Sequence, residues 1–272
     1  MSAPTQLVSV GDPVTECGRP AGFVHDFFVL FDRLRTRSFS RSELVGTVVQ
    51  PLIFFAIFYC TFASMLGDKN IDFGRFVTPT VIVQALMFVA IGSATELSAE
   101  RSSGFFARLL TSPIDMRAMS LAHLAVVALQ GAASTSIIAG AGYVVGFRFE
   151  HGVLAALGFF ALAVAFGISL SLATATIALR LHNQEALSAV LHLPYLPLLV
   201  LSTGFVKAEL FPEWLQTIVI ASPVSGVVDA LRALSSYPLT GMAVLPGLLW
   251  VLAMLIIFSW MTTAAFRKEA LQ

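Results

Sequence analysis

The amino-acid sequence predicts an all-α integral membrane protein. Three observations carry that expectation. Of 272 residues, 57% are apolar and 12% are charged, and a soluble domain carries about twice that share of charge. Six apolar runs of about twenty residues follow one another, each long enough as a helix to cross ~30 Å of hydrocarbon. Lysine and arginine are also divided unevenly between the segments that join the runs. The net charge is zero, so no basic surface points to nucleic acid. No polar stretch is long enough to bury a soluble core. Cys17 lies in a polar tail and Cys60 in an apolar run, which argues against a disulfide or metal framework.

Residues 1–20 read as a disordered tail. They contain Asp12 and Glu16 but no apolar centre, so they are not expected to be a secretory leader. Residues 21–272 read as a single membrane domain. Its first element is an amphipathic helix over 23–37. Phe23, Phe27, Leu30, Phe31 and Leu34 repeat at helical spacing, and Asp26, Asp32, Arg33, Arg35 and Arg37 lie off the centre of that stripe. Arginines flanking an aromatic stripe suit a helix lying along the membrane surface.

The apolar runs cover about 44–66, 76–97, 119–146, 153–179, 186–205 and 242–265. Pro51 stands near the start of the first. The third is rich in glycine, alanine and serine, which permit close helix approach. With the N-terminus inside, eleven of the sixteen lysines and arginines fall in cytoplasmic segments and five outside. That asymmetry places both termini, and the loop after the second run, in the cytoplasm.

Two segments between runs are unusual. Residues 99–113 form a short charged amphipathic helix in which Phe105, Phe106, Leu109 and Leu110 share one side and Arg101 and Arg108 another. Pro113 stops it. It reads either as a loop helix facing a cytoplasmic partner or as a lipid-interface helix with none. Residues 206–241 are too polar to span and too apolar for an ordinary loop. A helix begins after Pro212 and a second after Ser222-Pro223, with Ser222 as N-cap. Val224, Val227, Val228, Leu231 and Leu234 line one face of the second. Two half-length helices suit a re-entrant hairpin; the alternative is an amphipathic loop lying on the surface.

Isolated polar groups are read conservatively. Gln84 and Gln130 read as glue between helices, and Glu96 as a solvated residue at the end of its run. His192, just ahead of Pro194 and Pro197, lacks an acidic partner in its run, so the prolines mark a kink rather than a proton path. Asp229 and Arg232 pair at i and i+3, either on the surface or as a contact stabilising a gate. Glu213 and Trp214 open the first half-length helix, Glu213 complementing its positive end.

The pattern Glu100-Arg101…Gly104…Arg108-Leu109-Leu110…Pro113 resembles the cytoplasmic signature of the ABC-2 exporter permeases. The outer segment from Leu210-Phe211-Pro212-Glu213-Trp214 through Ser222-Pro223 to Asp229 and Arg232 resembles the hairpin that precedes their last span. Gln50-Pro51-Leu52-Ile53 fits the start of their first. The three in order cover the chain from about residue 23 onward, and the likeness is greatest to the daunorubicin-resistance type, which includes exporters of envelope lipids. Ser103-Gly104-Phe105 stands where Gly-Thr-Leu is commoner.

The resemblance implies a six-span permease subunit in the plasma membrane, exporting an antibiotic or an envelope lipid. Its partners would be two ABC ATPase subunits and a second permease chain, identical or paralogous. ATP and magnesium would sit on the ATPase, with no cofactor on this chain. The 99–113 helix would be the coupling helix, with Glu100, Arg101, Gly104, Phe105, Arg108, Leu109, Leu110 and Pro113 forming the contact. The 23–37 helix would meet the same ATPase through Phe23, Phe27, Phe31, Arg33 and Arg35. Pro212, Trp214, Pro223, Asp229 and Arg232 would belong to the hairpin that seals the exit. No Gly-x-x-x-x-Gly-Lys-Ser/Thr loop occurs in the chain. Two other classes remain: a transporter driven by an ion gradient, which paired intramembrane carboxylates would favour, and a membrane enzyme, for which the five histidines are too scattered.

Overall fold

A computed structural model describes residues 22–39, 45, 49–66, 73–103, 116–181, 183–206 and 208–269. Among the described residues all regular secondary structure is helical, and the α-helices run in the order α1 (Phe23–Ser38), α2 (Gln50–Leu66), α3 (Phe73–Ser102), α4 (Met116–Val144), α5 (Gly152–Arg180), α6 (Gln184–His192), α7 (Tyr195–Val200), α8 (Glu213–Ile220), α9 (Pro223–Ser235) and α10 (Gly241–Glu269). Four of these, α3, α4, α5 and α10, are long and apolar enough to cross a membrane. The bent pair α8 and α9, at 70° to each other, could count as a fifth crossing.

The fifth apolar run differs from the single span expected. Of the first run, the described residues include the 17-residue helix α2, with Pro51 in its first turn. The fifth breaks into α6, of nine residues, and α7, of six. Pro194 and Pro197 cause the break, because neither can donate the i→i−4 bond and their rings crowd the preceding turn.

The bundle is organised around α3. Of its most apolar stretch, 83% is buried, against 11% for α10. It packs against α5, α4, α2, α9 and α6. The main core joins Val81, Ile82 and Leu86 of α3 to Phe159 and Phe166 of α5 and Val227 and Leu231 of α9. Apolar packing alone discriminates weakly between helices in lipid, so small residues and hydroxyls set the contacts. Ser93 and Ser171 lie 2.8 Å apart between α3 and α5. Thr176 and Thr262 lie 2.8 Å apart between α5 and α10. At the α9–α10 crossing, a Cβ on Gly247 would come within 2.7 Å of the Ala230 Cβ, so only glycine permits that approach.

The link between α4 and α5 is a compact loop. Gly146 turns it at φ +98°, a conformation that side chains disfavour. Phe147 then inserts into the core. The loop is tied to neighbours by Arg75–Glu150 at 2.7 Å and by the Glu150 amide donating to the Ser235 carbonyl.

Candidate functional site

Two polar clusters stand at opposite ends of α3. By helix rise, Phe76 and Glu100 are roughly 36 Å apart along its axis.

The first cluster joins the C-terminal end of α3 to α1. Glu100 is 3% exposed, and its Oε1 lies 3.5 Å from Arg37 and 3.7 Å from Arg33. One turn earlier, Glu96 accepts a 2.8 Å bond from the Ser38 hydroxyl. The Ser38 carbonyl accepts from Gln130 of α4 at 2.9 Å. Two carboxylates four residues apart thus share one face of α3, and α1 brings its basic end to them. Below this, Leu30 and Leu34 pack on Met119, Ala122 and Val126. On the other side of α3, Arg101 donates to the Leu179 carbonyl at 2.7 Å. That carbonyl is at the C-terminal end of α5, where the helix dipole favours a cation.

This arrangement bears on α1 and corrects two sequence expectations, on Glu96 and on the end of the second run. The buried residues of α1 are Asp26, Leu30, Leu34 and Ser38, so Leu30 and Leu34 of the expected stripe face the bundle. Phe23 is exposed, and Phe27 and Phe31 are half-buried flanks stacked at 5.9 Å. Ser38 and Arg37, at the end of the helix, meet the carboxylates of α3. Glu96 is half-buried and bonded rather than solvated. The end of the second run extends as α3 to Ser102, so Glu100 and Arg101 belong to its last turn. Gly104, Phe105, Arg108, Leu109, Leu110 and Pro113 lie outside the described residues. Arg35, exposed, pairs with Asp32 on its own helix at 2.7 Å.

The second cluster is centred on Arg232 of α9, which is 5% exposed. Its guanidinium donates to the carbonyls of Gly204 at 2.6 Å, Thr203 at 2.8 Å and Phe76 at 3.0 Å. It also reaches Thr80 Oγ1 at 3.2 Å and Asp229 at 3.1 Å, and stacks 3.7 Å over the Phe76 ring. Thr203 donates its hydroxyl to Asp229 and its amide to the Ser225 hydroxyl, both at 3.0 Å. A buried guanidinium is tolerated because five acceptors replace its hydration. One side chain therefore joins α9, the start of α3 and the turn after α7. The Asp229–Arg232 pair joins a buried guanidinium to a carboxylate that is 46% exposed.

Of the other hairpin residues, Pro212 precedes α8, and Trp214 is largely exposed on it. Pro223 is the first residue of α9. Ser222 occupies the N-cap position but makes no side-chain cap bond. Gln130 joins α1 to α4, and Gln84 is buried beside Tyr195. His192 is exposed and bonds locally to the Ser188 carbonyl at 2.9 Å. Sequence reasoning missed Ser38, Thr80, Thr203 and Gly204. Ser202-Thr203-Gly204 at the end of an apolar run was the available signal, since that composition marks a turn.

An all-helical membrane bundle with these two junctions defines the class, and the chain belongs to the ABC-2 type transporter family, whose model matches residues 25–235. It is 31% identical over 260 residues to the doxorubicin resistance ABC transporter permease protein DrrB of Mycobacterium tuberculosis, a match covering 89% of each chain. It is 30% identical over 192 residues to the daunorubicin resistance ABC transporter permease protein DrrB1 of Streptomyces coeruleorubidus, covering 71% of this chain and 68% of that one. A third relative is the probable doxorubicin resistance ABC transporter permease protein DrrC of M. tuberculosis, 27% identical over 213 residues, covering 77% of this chain and 76% of that one. Family and apolar helices together make this an integral membrane protein.

Proposed function

We propose that the chain is the permease subunit of an ATP-driven exporter that moves a hydrophobic or amphipathic molecule, an antibiotic or an envelope lipid, out of the cytoplasm or inner leaflet. Membership of the ABC-2 family is the observation that carries the reading, and the drug-resistance names of the relatives support the cargo class. Two ABC ATPase subunits bind the cytoplasmic side and carry ATP and magnesium; this chain carries no cofactor. A second permease, identical or paralogous, completes the membrane unit. The existence of DrrB and DrrC as separate relatives in one organism supports a pair of different chains.

In this reading the chain crosses the plasma membrane six times with both termini inside. Its first span is built on α2, and its fifth on α6 and α7. The 99–113 segment is the coupling helix. Leu109 and Leu110 pack against the ATPase and Arg108 sets the register, while Glu100 and Arg101 anchor the segment to α1 and α5. The exposed face of α1, with Arg33 and Arg35, is a second contact. The α8–α9 hairpin closes the exit and Arg232 holds it shut.

The test is purification of the tagged chain from its native host in mild detergent, with Leu109→Asp and Gly104→Trp as comparisons. The expected outcome is a co-eluting ATPase with a phosphate-binding loop, lost in both variants while each remains in the membrane. Elution without an ATPase in several mild detergents would overturn the reading in favour of gradient-driven transport.

A further inference from the structure

Helix α1 is fastened to α3 by its C-terminal end. Leu30 and Leu34 pack on Met119, Ala122 and Val126 of α4, and beyond them Arg37 and Ser38 meet Glu100 and Glu96. The N-terminal half of α1 borders a groove instead. Phe23 and Phe27 line it from α1, Leu121, Leu124, Ala125 and Ala128 from α4, and Ile168 from α5. The groove encloses about 420 Å³. Phe23 is exposed and Phe27 half-buried, so neither aromatic ring fills it.

The chemistry of the lining selects the occupant. The four α4 residues follow i, i+3, i+4 and i+7 and share one face of that helix, where Ala125 and Ala128 leave the space. Every side chain that lines the groove is apolar. A peptide segment or a polar molecule lying there would leave its donors and acceptors unpaired, at a cost of several kcal/mol per group. A hydrocarbon chain has no such groups, and an empty groove would forfeit its dispersion contacts.

Position points to the same occupant. Helix α4 is long and apolar enough to cross a membrane. Leu121 lines the groove and is also exposed, as are Leu129 and Ile137 further along α4. The groove therefore opens onto a side of α4 that faces hydrocarbon in a membrane. Ala128 and Ile168 each stand twelve residues, ~18 Å, from the ends of α4 and α5 on the Glu100 side. That depth is a little over half of a ~30 Å hydrocarbon layer, within reach of a chain from one leaflet.

We propose that the groove between α1, α4 and α5 holds one acyl chain of a membrane phospholipid, from the leaflet on the Glu100 side, and that this chain braces the N-terminal half of α1. The lipid is a resident part of the fold there. It supplies on one half of α1 the packing that Leu30, Leu34, Arg37 and Ser38 supply on the other. The proposal requires only that the chain spans a membrane, and is independent of what it transports.

The full chain, reconstituted in vesicles of phosphatidylethanolamine and phosphatidylglycerol, tests this. A share of the phosphatidylethanolamine carries a diazirine midway along one acyl chain. After illumination, adducts on Phe23, Phe27 and residues 121–128 should exceed those on 137–144, further along the same helix, at least fivefold. Equal labelling of the two stretches would reveal only passing lipid and overturn the proposal. Ala125→Phe and Ala128→Phe fill the groove and should each lower its labelling at least fivefold, whereas Ile137→Phe should leave it unchanged. Undiminished labelling in the two alanine variants would also overturn it. So would groove labelling, relative to 137–144, that rises on deletion of residues 1–20 or falls at a tenfold higher protein-to-lipid ratio; the occupant would then be the tail or a second copy of the chain. The brace is read by hydrogen exchange. Stripping lipid with detergent should speed exchange in peptides from 23–31 at least fivefold and leave 32–38 as they were. Unchanged exchange over 23–31 would overturn the bracing. None of these readouts uses ATP or a partner, so a failure of the exporter reading would leave them as stated.

Discussion

At the residue scale, Glu100 and Arg232 are charges kept from water for opposite kinds of junction. Glu100 faces two half-exposed arginines, so its pairing is screened on one side. Glu100→Gln keeps the shape and removes the charge, and should lower stability by about 1–2 kcal/mol. The loss should be concentrated in α1, which would become faster to cleave by protease around Arg33 and Arg35. Unchanged cleavage would mean that Leu30 and Leu34 alone hold α1. Arg232 is enclosed, with carbonyls from the start of α3 and from the turn after α7 around it. Arg232→Met removes a donor from each of those carbonyls, while Asp229 keeps Thr203 and is half-exposed, and should cost about 1–3 kcal/mol. The readout is the fraction of chain recovered monodisperse after brief heating in detergent. Arg232→Lys should recover only part of the loss, because an ammonium cannot reproduce a planar fork.

At the element scale, helix contacts depend on hydroxyls and on absent side chains. Gly247→Leu has no space beside Ala230 and should destabilise the α9–α10 contact by about 1–3 kcal/mol. Gly140→Ala is the control. Nothing lies within 4 Å of a Cβ there, and the gain in helix propensity is about 0.5–1 kcal/mol. Opposite shifts in thermal unfolding of the two variants are the expected outcome. Helices with a strong repeat, such as α3, α4, α5 and α10, were legible from hydropathy, because length and apolarity are local properties. The partner of α1 was not. Ser38 and Arg37 meet Glu96 and Glu100, residues about sixty positions away. The break in the fifth run was half-legible, since Pro194 and Pro197 are visible in sequence but their separation of α6 from α7 depends on what each half packs against.

At the scale of the whole molecule, the excess of arginine and lysine on one side predicts that both ends share the cytoplasm. Green fluorescent protein fused to either end should fluoresce, and alkaline phosphatase fused to either should be inactive in cells. Phosphatase activity at one end only would require an odd number of crossings, and the bent α8–α9 pair would then count as a span. The sequence alone determined the membrane class, the apolar runs, the short motifs that carry the family resemblance and the residue types at both junctions. These follow from composition, from proline and glycine placement and from charge, which act over one or two turns. Only the tertiary structure decided that Glu100 turns inward to α1, that Arg101 grips the end of α5 and that Arg232 is buried between α3, α9 and the turn after α7. Those outcomes depend on which distant carbonyl or carboxylate replaces lost hydration, and no local pattern encodes the identity of that partner.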